Sequence, residues 1–296
     1  MISEMDQRLS EQPLRLGLGG ELHGQLWQPR GGASQGCVVI VHGLGEHGQR
    51  YRALAEHLAT WGWATLTADL PGHGNSPGRR GHIRSYRRLL QEISTLLIAA
   101  AEVGGAGPSG SAPLVLLGHS MGGNLAANYM LRRRELAPQA PEPDALVLSA
   151  AMFLPQQPPP RPHIFAAWLT GHLLPWWTIR APVKVDALTR DPVVLQATRN
   201  DPLMHNRLSL YLGTQLLAQG RHALDHAALL DRPTLVLHGE RDPITSYRAS
   251  ESFAVRAGKF ATFVSFPGML HEIFHDVGND QVLAVLRDWL AEVRAA

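Results

Sequence analysis

Short apolar runs rich in Val, Ile and Leu alternate along this chain with longer segments that have helical periodicity. The apolar runs predict buried strands over residues 37–41, 64–68, 114–117, 145–148, 234–237 and 261–266. The longer segments predict helices around residues 51–60, 86–102, 121–134, 247–257 and 281–293. Continuous apolar strands separated by helices indicate a mostly parallel sheet with helices on both faces, which is the α/β class.

Two further runs near the N-terminus predict an antiparallel hairpin at the edge of this sheet. They cover residues 14–18 and 22–27 and are separated by Gly19-Gly20. Together with the buried strands, the hairpin makes a predicted sheet of eight strands.

One segment, residues 154–206, breaks the alternation of strands and helices. It carries bulky apolar residues and many prolines, including Pro158-Pro159-Pro160. A structureless loop of this length is unusual in a compact domain. We therefore expect a helical cap inserted after the sixth strand, which divides the α/β core into residues 1–153 and 207–296. The alternative is a packed side lobe without a role in substrate access.

Composition narrows the class of protein and the kind of partner. The 296 residues are 45% hydrophobic and 18% charged, which supports a large core and argues against disorder. A formal net charge of +2 is too small to indicate a nucleic-acid partner. The single cysteine, Cys37, cannot form an internal disulfide and is expected to be a buried apolar residue of its strand.

Neither a secretory signal nor a membrane span is visible in the sequence. Residues 1–6 are acidic and lack the apolar region of a signal peptide. No apolar run reaches about 18 residues, the length that crosses a bilayer. We therefore expect a cytoplasmic protein, with transient contact to a membrane surface left open, and the sequence does not indicate an oligomeric state.

The sharpest motif is Gly118-His119-Ser120-Met121-Gly122-Gly123, which fits the pattern G-x-S-x-G. A predicted strand leads into it and a predicted helix leads out. This context is that of a nucleophile elbow, in which a serine occupies a strained turn and flanking glycines remove Cβ atoms that would clash. Ser120 is therefore the predicted nucleophile, and the alternative is a glycine-rich turn with an ordinary serine.

A serine hydroxyl is a poor nucleophile at neutral pH, so it requires a base, and the base requires an acid that orients it. After a nucleophile elbow, the acid and then the histidine follow in the chain. Strand 234–237 ends in a loop with Asp242, and strand 261–266 ends in a loop with His271. Because parallel strands end at one edge of the sheet, we expect Asp242 and His271 to meet Ser120 there.

Other residues compete for these two roles. Glu240 is the main competitor for the acid, while His238 and His275 are lesser rivals of His271 as the base. The run His271-Glu272-Ile273-Phe274-His275 also matches the zinc pattern H-E-x-x-H. That pattern needs a helix and a third ligand, whereas Pro267-Gly268 directly precedes the run. We therefore predict no metal site.

The oxyanion that forms during acyl transfer needs hydrogen-bond donors. Strand 37–41 leads into the glycine-rich turn His42-Gly43-Leu44-Gly45-Glu46-His47, which can bring backbone close to a substrate carbonyl. One donor is the N–H of the residue after the nucleophile, and the other lies in the loop after the third strand. The predicted donors are the backbone N–H groups of Met121 and Leu44.

Taken together, the motifs resemble the monoacylglycerol lipases and the related bacterial lysophospholipases, which have the α/β-hydrolase fold. The matching segments are His42-Gly43-Leu44-Gly45-Glu46-His47 with Arg50-Tyr51, Asp69-Leu70-Pro71-Gly72-His73-Gly74-Asn75-Ser76, Gly118-His119-Ser120-Met121-Gly122-Gly123, Asn200-Asp201-Pro202-Leu203, His238-Gly239-Glu240-Arg241-Asp242 and His271-Glu272. The resemblance runs from about Gly36 to the C-terminus. It implies the same triad of Ser120, Asp242 and His271, with Leu44 and Met121 as oxyanion donors.

The resemblance also implies a cap whose apolar helices guard an acyl-chain tunnel. Phe165 and Trp168 fall on one apolar stripe of a predicted cap helix, and such a stripe can line a tunnel, touch a lipid surface or pack on the core.

Arg50, at the family's arginine position, either contacts the polar head of the substrate or forms a salt bridge that braces its loop. Phe274 stands where mammalian members have a second histidine, so head-group recognition is expected to differ.

These inferences predict a two-step ester hydrolysis that requires no metal or organic cofactor. The predicted substrate is a lipid ester with a single acyl chain, in the first place monoacylglycerol, which is cleaved to fatty acid and glycerol. A lysophospholipase or a broad carboxylesterase is the alternative. A ligand-binding protein that keeps this fold without catalysis is a hypothesis of another class, and the complete triad argues against it.

Overall fold

One mixed sheet organises the computed structural model, which describes residues 9–31, 34–104, 112–181 and 183–295. Within these residues the sheet contains eight strands, and two short strands pair apart from it. The strands are β1 (Leu9–Leu16), β2 (Leu22–Pro29), β3 (Cys37–Val41), β4 (Ala64–Ala68), β5 (Leu114–His119), β6 (Ala145–Ser149), β7 (Thr178–Arg180), β8 (Arg207–Ser209), β9 (Thr234–Gly239) and β10 (Ala261–Phe266). The sheet order is β1-β2-β4-β3-β5-β6-β9-β10, with β1 and β2 antiparallel to their neighbours and the others parallel.

Eight α-helices connect the strands in the described part of the chain. They are α1 (Arg52–Thr60), α2 (Tyr86–Gly104), α3 (Met121–Leu136), α4 (Arg161–Leu173), α5 (Pro192–Asn200), α6 (Leu210–His226), α7 (Tyr247–Ala257) and α8 (Asp280–Ala295). Short 3₁₀ helices cover Gly48–Tyr51, Val185–Ala187, Ala227–Leu229 and Gly258–Phe260. This arrangement confirms the predicted α/β class. None of the helices described is both long enough and apolar enough to cross a bilayer.

The N-terminal hairpin lies at the sheet edge, as predicted, but its first strand has different ends. β1 ends at Leu16, two residues before the predicted boundary at Leu18. It ends there because Gly17 and Gly20 adopt φ values of 89° and 65°, which turn the chain into β2. Residues 1–6, for which the sequence predicts no secretory signal, lie outside the described residues.

The central strands bury side chains on both faces of the sheet. In β3, Val39 and Val41 pack into a cluster with apolar residues of α2 and α3, whereas Val38 and Ile40 pack with α1 and α8. This alternation follows from the two-residue repeat of a strand, because successive side chains point to opposite faces. Cys37 is fully buried at the start of β3, and its burial raises the pKa of the thiol to about 12.

A long excursion between β6 and β9 contains α4, β7, α5, β8 and α6. It contacts the loops that follow β3 and β10, because His205 N–H donates to the Gly45 carbonyl at 2.9 Å and Glu272 N–H donates to the Leu188 carbonyl at 2.8 Å. The excursion therefore covers the edge at which the parallel strands end. The predicted cap, residues 154–206, falls within it, and both its boundaries and its role in substrate access stay predictions.

Helix α6 joins this excursion to the core through a close approach at Gly220. A Cβ atom on Gly220 would overlap the carbonyl oxygen of Phe153, whereas a Cβ on Gly213, in the same helix, would lie 3.4 Å from Leu208 Cδ2. Two asparagines of α3 reinforce the contact by donating to α6 carbonyls, Asn124 to Leu216 at 3.1 Å and Asn128 to Gln219 at 3.0 Å.

We expect Gly220→Ala to lower the free energy of unfolding by about 2 kcal/mol, because the new methyl group must displace backbone. Gly213→Ala is the matched control and should raise the free energy of unfolding by up to about 1 kcal/mol, because alanine favours the helix. Urea denaturation followed by circular dichroism measures both effects. Equal effects of the two substitutions would contradict the close approach.

Candidate active site

Ser120 lies at the turn between β5 and α3 in a backbone conformation that L residues rarely adopt. Its φ is 52° and its ψ is −116°, and such strain costs on the order of 1–3 kcal/mol. A Cβ on Gly122 would overlap the carbonyl oxygen of Val41. A Cβ on Gly118 would likewise overlap the carbonyl oxygen of Gly122. Glycine at both positions therefore lets α3 begin directly against the end of β3.

The strained turn is held by backbone hydrogen bonds to the end of β6. Ser120 N–H donates to the Ser149 carbonyl at 3.0 Å, and the Ser120 carbonyl accepts from Met152 N–H at 2.9 Å. The same carbonyl accepts the first bond of α3, from Asn124 N–H at 3.1 Å. These bonds hold the backbone of Ser120 from both sides, while its side chain remains partly exposed.

Asp242 and His271 form a buried hydrogen-bonded pair. His271 Nδ1–H donates to Asp242 Oδ2 at 2.7 Å, and each residue is 3% exposed. Burial raises the pKa of Asp242, but the charge of His271 outweighs this effect of burial. The pKa of Asp242 therefore lies well below the usual 3.8. Burial lowers the pKa of His271, but the Asp242 carboxylate outweighs this effect of burial. The pKa of His271 therefore lies above the usual 6.5.

Two further residues bind the Asp242 carboxylate: His238, which the sequence suggested only as a rival base, and Thr245, for which the sequence indicated no role. His238 Nε2–H donates to Asp242 Oδ2 at 3.0 Å and receives the Ser250 hydroxyl on Nδ1 at 2.8 Å. Thr245 donates its hydroxyl to the same Oδ2 at 2.6 Å and its N–H to Oδ1 at 3.1 Å. The signal for His238 was its place at the end of β9, four residues before Asp242.

The loops after β3, β5 and β10 meet around Ser120. The imidazole rings of His119 and His271 lie with centroids 4.8 Å apart, which places the base beside the elbow. A Cβ on Gly43 would lie 3.2 Å from Ser120 Cβ and 3.4 Å from His119 Cδ2. The structure therefore brings Ser120, His271 and the glycine-rich turn after β3 to one place.

The two residues predicted to supply oxyanion donors directly follow Gly43 and Ser120, which lie close together at this junction. Met121 is the first residue of α3, and the first N–H groups of a helix have no acceptor within it. Leu44 follows Gly43, whose N–H donates to Glu46 Oε1 at 2.5 Å. Gly45, at a φ of 81°, then passes under His205, since a Cβ there would overlap the His205 carbonyl oxygen. The shape of the turn is thus defined on both sides of Leu44.

Arg50 lies in a buried charge cluster, the Glu46–Arg50–Glu272 cluster. Its Nη1 donates to Glu46 Oε2 at 2.8 Å and to Glu272 Oε1 at 2.7 Å, and its Nη2 donates to Glu272 Oε2 at 2.8 Å. Nη2 also donates to the Thr198 hydroxyl at 3.1 Å. These contacts fit the bracing alternative for Arg50. Sequence reasoning assigned no role to Glu46 or Glu272, although both stand in the motifs.

The two rivals from the same loops have other partners. Glu240 is exposed and accepts the Ser265 hydroxyl at 2.9 Å. His275 Nε2–H donates to the Arg50 carbonyl at 3.0 Å. His271 and His275 therefore face different groups. In the part of the chain that the structure describes, no set of three His, Cys, Asp or Glu residues is placed to hold a metal ion.

The apolar stripe of α4 is exposed to solvent. Phe165 is 65% exposed and Trp168 is 46% exposed, and their rings stack with centroids 6.1 Å apart. Further exposed apolar residues of this surface are Leu169, Leu173, Leu174, Trp176, Trp177 and Ile179. Exposure on this scale does not fit packing on the core, so the tunnel and the lipid surface remain as alternatives.

A family model described as "Serine aminopeptidase, S33" matches residues 32–278 of the chain. A monoacylglycerol lipase of Mycolicibacterium smegmatis is 30% identical to it over 86% of this chain and 88% of the relative. A phospholipase of Bacillus subtilis is 26% identical over 88% of this chain and 97% of the relative. The chain also matches, at 28% identity over 86% of its length, an uncharacterized abhydrolase domain-containing protein of Dictyostelium discoideum, of which it spans 26%.

Solved structures give the same fold. A monoacylglycerol lipase of Paleococcus ferrophilus superposes with a TM-score of 0.80 at 29% identity, covering 92% of this chain and 99% of that one. The matched fold is the α/β-hydrolase fold, as predicted.

Substitution of His238 tests how the Asp242 carboxylate is stabilised. His238→Leu removes the donor to Asp242 Oδ2, whereas His238→Gln keeps an N–H near the same place. We expect the leucine variant to lose about 1.5–3 kcal/mol of unfolding free energy at neutral pH, the usual contribution of a hydrogen bond to a charged group. The glutamine variant should lose less.

The pH dependence of this loss has a defined sign. The folded-state pKa of Asp242 lies below 3.8, so the stability from its ionised form is present at neutral pH and is lost as pH falls through the folded pKa. The difference between wild type and His238→Leu should therefore shrink in acid. Urea denaturation from neutral pH to below 3.8 measures it. A difference that does not change with pH would contradict this prediction.

Proposed function

Because this chain belongs to the serine aminopeptidase S33 family and is an ester hydrolase similar to monoacylglycerol lipases, we propose that it cleaves monoacylglycerol to fatty acid and glycerol. The observation that carries the proposal is the placement of Ser120, at a strained elbow, beside the buried Asp242–His271 pair. Acyl transfer by serine requires a nucleophile, a base and a group that orients the base. These three residues supply all three roles.

In the proposed reaction, Ser120 Oγ attacks the ester carbonyl while His271 Nε2 accepts its proton. Asp242, bound to Nδ1, keeps the imidazole in the required tautomer and stabilises the imidazolium. The backbone N–H groups of Leu44 and Met121 donate to the oxyanion. His271 then gives its proton to the leaving glycerol oxygen. In the second step it activates a water molecule, which releases the fatty acid from Ser120.

The exposed side chains of α4 support a lipid substrate. Contiguous exposed apolar surface is uncommon on soluble proteins and marks a site for lipid, protein or ligand. Phe165 and Trp168, whose rings stack, form such a surface on α4, within the excursion between β6 and β9. We propose that these two residues contact a lipid surface transiently and guide the acyl chain from there to Ser120.

The contacts of Arg50 favour a neutral head group. A lysophospholipid carries a phosphate, which is bound most readily by a guanidinium or an ammonium group. The guanidinium of Arg50 is already bound by Glu46, Glu272 and Thr198. This occupancy supports the glycerol ester over the lysophospholipid.

The acidic residues of the cap do not favour an aminopeptidase. Such an enzyme needs carboxylates that are free to bind the N-terminal amine of a peptide. Within residues 154–206 the acidic residues are Asp186, Asp191 and Asp201. Asp191 caps α5, Asp201 pairs with His47, and Asp186 pairs with Arg199. Each is already bound within the protein, so an ester of a neutral alcohol fits better.

Fatty-acid release tests the proposal directly. We expect a monoacylglycerol to be cleaved in preference to a lysophospholipid of the same acyl chain, because the guanidinium of Arg50 is already bound by Glu46, Glu272 and Thr198. Ser120→Ala should lower turnover by at least about 10⁴-fold, because the nucleophile is lost. Preference for the lysophospholipid or for short-chain esters would contradict monoacylglycerol as the substrate and would indicate a lysophospholipase or a carboxylesterase instead.

A matched pair of variants separates the acid from its competitor. Asp242→Asn should lower kcat by about 10⁴-fold, because the amide favours the wrong histidine tautomer. Glu240→Gln, an exposed carboxylate two residues away, should leave kcat unchanged. Labelling by a fluorophosphonate should be lost in Ser120→Ala and retained in Glu240→Gln. Near wild-type turnover of Ser120→Ala would exclude the assigned nucleophile.

Lipid-surface contact through α4 is tested by sedimentation with phospholipid vesicles. Burial of one large apolar side chain contributes about 1.5–3 kcal/mol, so Phe165→Ser with Trp168→Ser should weaken vesicle binding at least about tenfold. The control is Leu229→Ser with Val255→Ser, two residues 65% and 75% exposed outside the cap, which should leave binding unchanged. Equal effects of the two pairs would show nonspecific adsorption instead.

A further inference from the structure

The two carboxylates of the Glu46–Arg50–Glu272 cluster belong to the two loops that carry the proposed catalytic groups. Glu46 Oε1 accepts the Gly43 N–H at 2.5 Å and the Tyr51 hydroxyl at 2.9 Å, so it holds the His42–Gly43 peptide, which is one peptide before the one that carries the Leu44 N–H. Glu272 directly follows His271, and Arg50 binds both of its carboxylate oxygens. One guanidinium thus connects the turn that supplies an oxyanion donor with the loop that supplies the base.

We propose that Arg50 is a positioning residue that sets the separation between the turn of residues 42–47 and His271 through Glu46 and Glu272. The proposal rests on the proposed function, because this separation matters only if Leu44 N–H and His271 act on one substrate carbonyl. A displacement of about 1 Å at a reacting group can cost about 10²-fold in rate. Arg50 and Glu272 are 222 residues apart in the chain, so only a tertiary contact can set the distance between the two loops.

The geometry requires an arginine. The guanidinium is planar and has five N–H donors, so Nη1 can reach both carboxylates while Nη2 completes the bidentate pair with Glu272. A lysine ammonium is a single point of charge and cannot keep this fork. The side chains of Arg50, Glu46 and Glu272 are 8%, 5% and 4% exposed, so water cannot readily replace a lost bond.

The cluster also joins the cap to the two loops. Thr198 of α5 receives a hydrogen bond from Arg50 Nη2 at 3.1 Å, and the Leu188 carbonyl receives one from Glu272 N–H at 2.8 Å. On the other side, His205 N–H donates to the Gly45 carbonyl at 2.9 Å. A cap that binds both loops at these points strengthens their common position.

The charge of the cluster favours the protonated base. With two carboxylates and one guanidinium, the cluster has a net charge of −1. The pKa of Glu46 is lowered to about 2, because the charges of Arg50 and His119 outweigh the effect of burial. The titratable groups that surround the His271 imidazole from all packed loops are Glu46, Arg50, His119, His238, Asp242, Glu272 and His275. Burial lowers the pKa of His271, whereas the charges of Asp242, Glu272 and Glu46 raise it. The cluster therefore assists Asp242 in stabilising the imidazolium.

The first test compares Arg50→Lys with Arg133→Lys, using a p-nitrophenyl ester that the wild-type enzyme hydrolyses. Arg133 is the matched control, because its side chain is 6% exposed and pairs with Glu142 and Asp231 at 3.0 Å and 2.7 Å. It lies at the far end of α3, about 20 Å from Ser120 along the helix. We expect Arg50→Lys to lower kcat about tenfold to a hundredfold with KM within about threefold. Arg133→Lys should leave kcat unchanged.

The second test uses the pH profile of kcat/KM for Glu272→Gln. Neutral His271 is the active base, so kcat/KM falls as pH drops through its pKa. Removal of the Glu272 charge lowers that pKa, so the acid limb should move to lower pH by about one unit. Glu240→Gln, which removes an exposed carboxylate, should leave the limb in place. The position of the limb measures the charge effect of the cluster on His271, whereas kcat of Arg50→Lys measures the positioning.

The outcomes separate this proposal from the proposed function. Equal kcat for Arg50→Lys and Arg133→Lys would overturn the positioning role of Arg50, and an unmoved acid limb in Glu272→Gln would overturn the effect of the cluster's charge on His271, while the enzyme remains a serine esterase. If Arg50→Lys does not fold, kcat of Glu272→Gln, which weakens the bidentate contact with Arg50, tests the positioning role instead, and a wild-type kcat would overturn it. Failure of the proposed function is seen instead in the wild-type protein, as absence of fluorophosphonate labelling and of ester hydrolysis.

Discussion

The first turn of α3 can lie against the end of β3 only because Gly122 has no side chain to meet the Val41 carbonyl. This contact fixes where the helix begins, and so it sets the strained backbone of Ser120 one residue earlier. It also brings the start of α3 next to the turn that carries Leu44, since a Cβ on Gly122 would lie 2.6 Å from the His42 carbonyl oxygen. The strain at Ser120 is sustained by the surrounding packing, since β5 and β6 are buried along their whole lengths.

Around this turn the protein buries several charges and satisfies each one with a partner. Asp242 receives hydrogen bonds from two histidines, a hydroxyl and two backbone N–H groups. Arg50 is held by two carboxylates. A buried charge without such partners would cost several kcal/mol, so the network is sensitive to the removal of any single member. It also leaves the imidazole of His271 in a negative environment, which suits its proposed role as a base that becomes positive during the reaction.

The α/β class could be predicted from the sequence, as could the alternation of strands and helices along the chain. The positions of Ser120, Asp242 and His271 at strand ends could also be predicted. These features follow from local periodicity and from motifs that can be read within a few residues. The roles of His238 and Glu272 could not be predicted in this way. Their partners depend on side-chain directions and on loops that are distant in the chain, as for Arg50 and Glu272 at 222 residues. The apolar stripe of α4 was recognised, but periodicity shows only that residues share a face and not what covers it.

The burial of Cys37 has a practical consequence for spectroscopy. It is the only cysteine in the sequence, it is fully buried in β3, and burial raises the pKa of its thiol to about 12. Maleimides and similar reagents attack thiolates at accessible positions. A cysteine introduced on α4 would therefore carry a fluorophore or a spin label without a competing site. The native sequence is in this respect already suited to testing the proposed contact of α4 with a lipid surface.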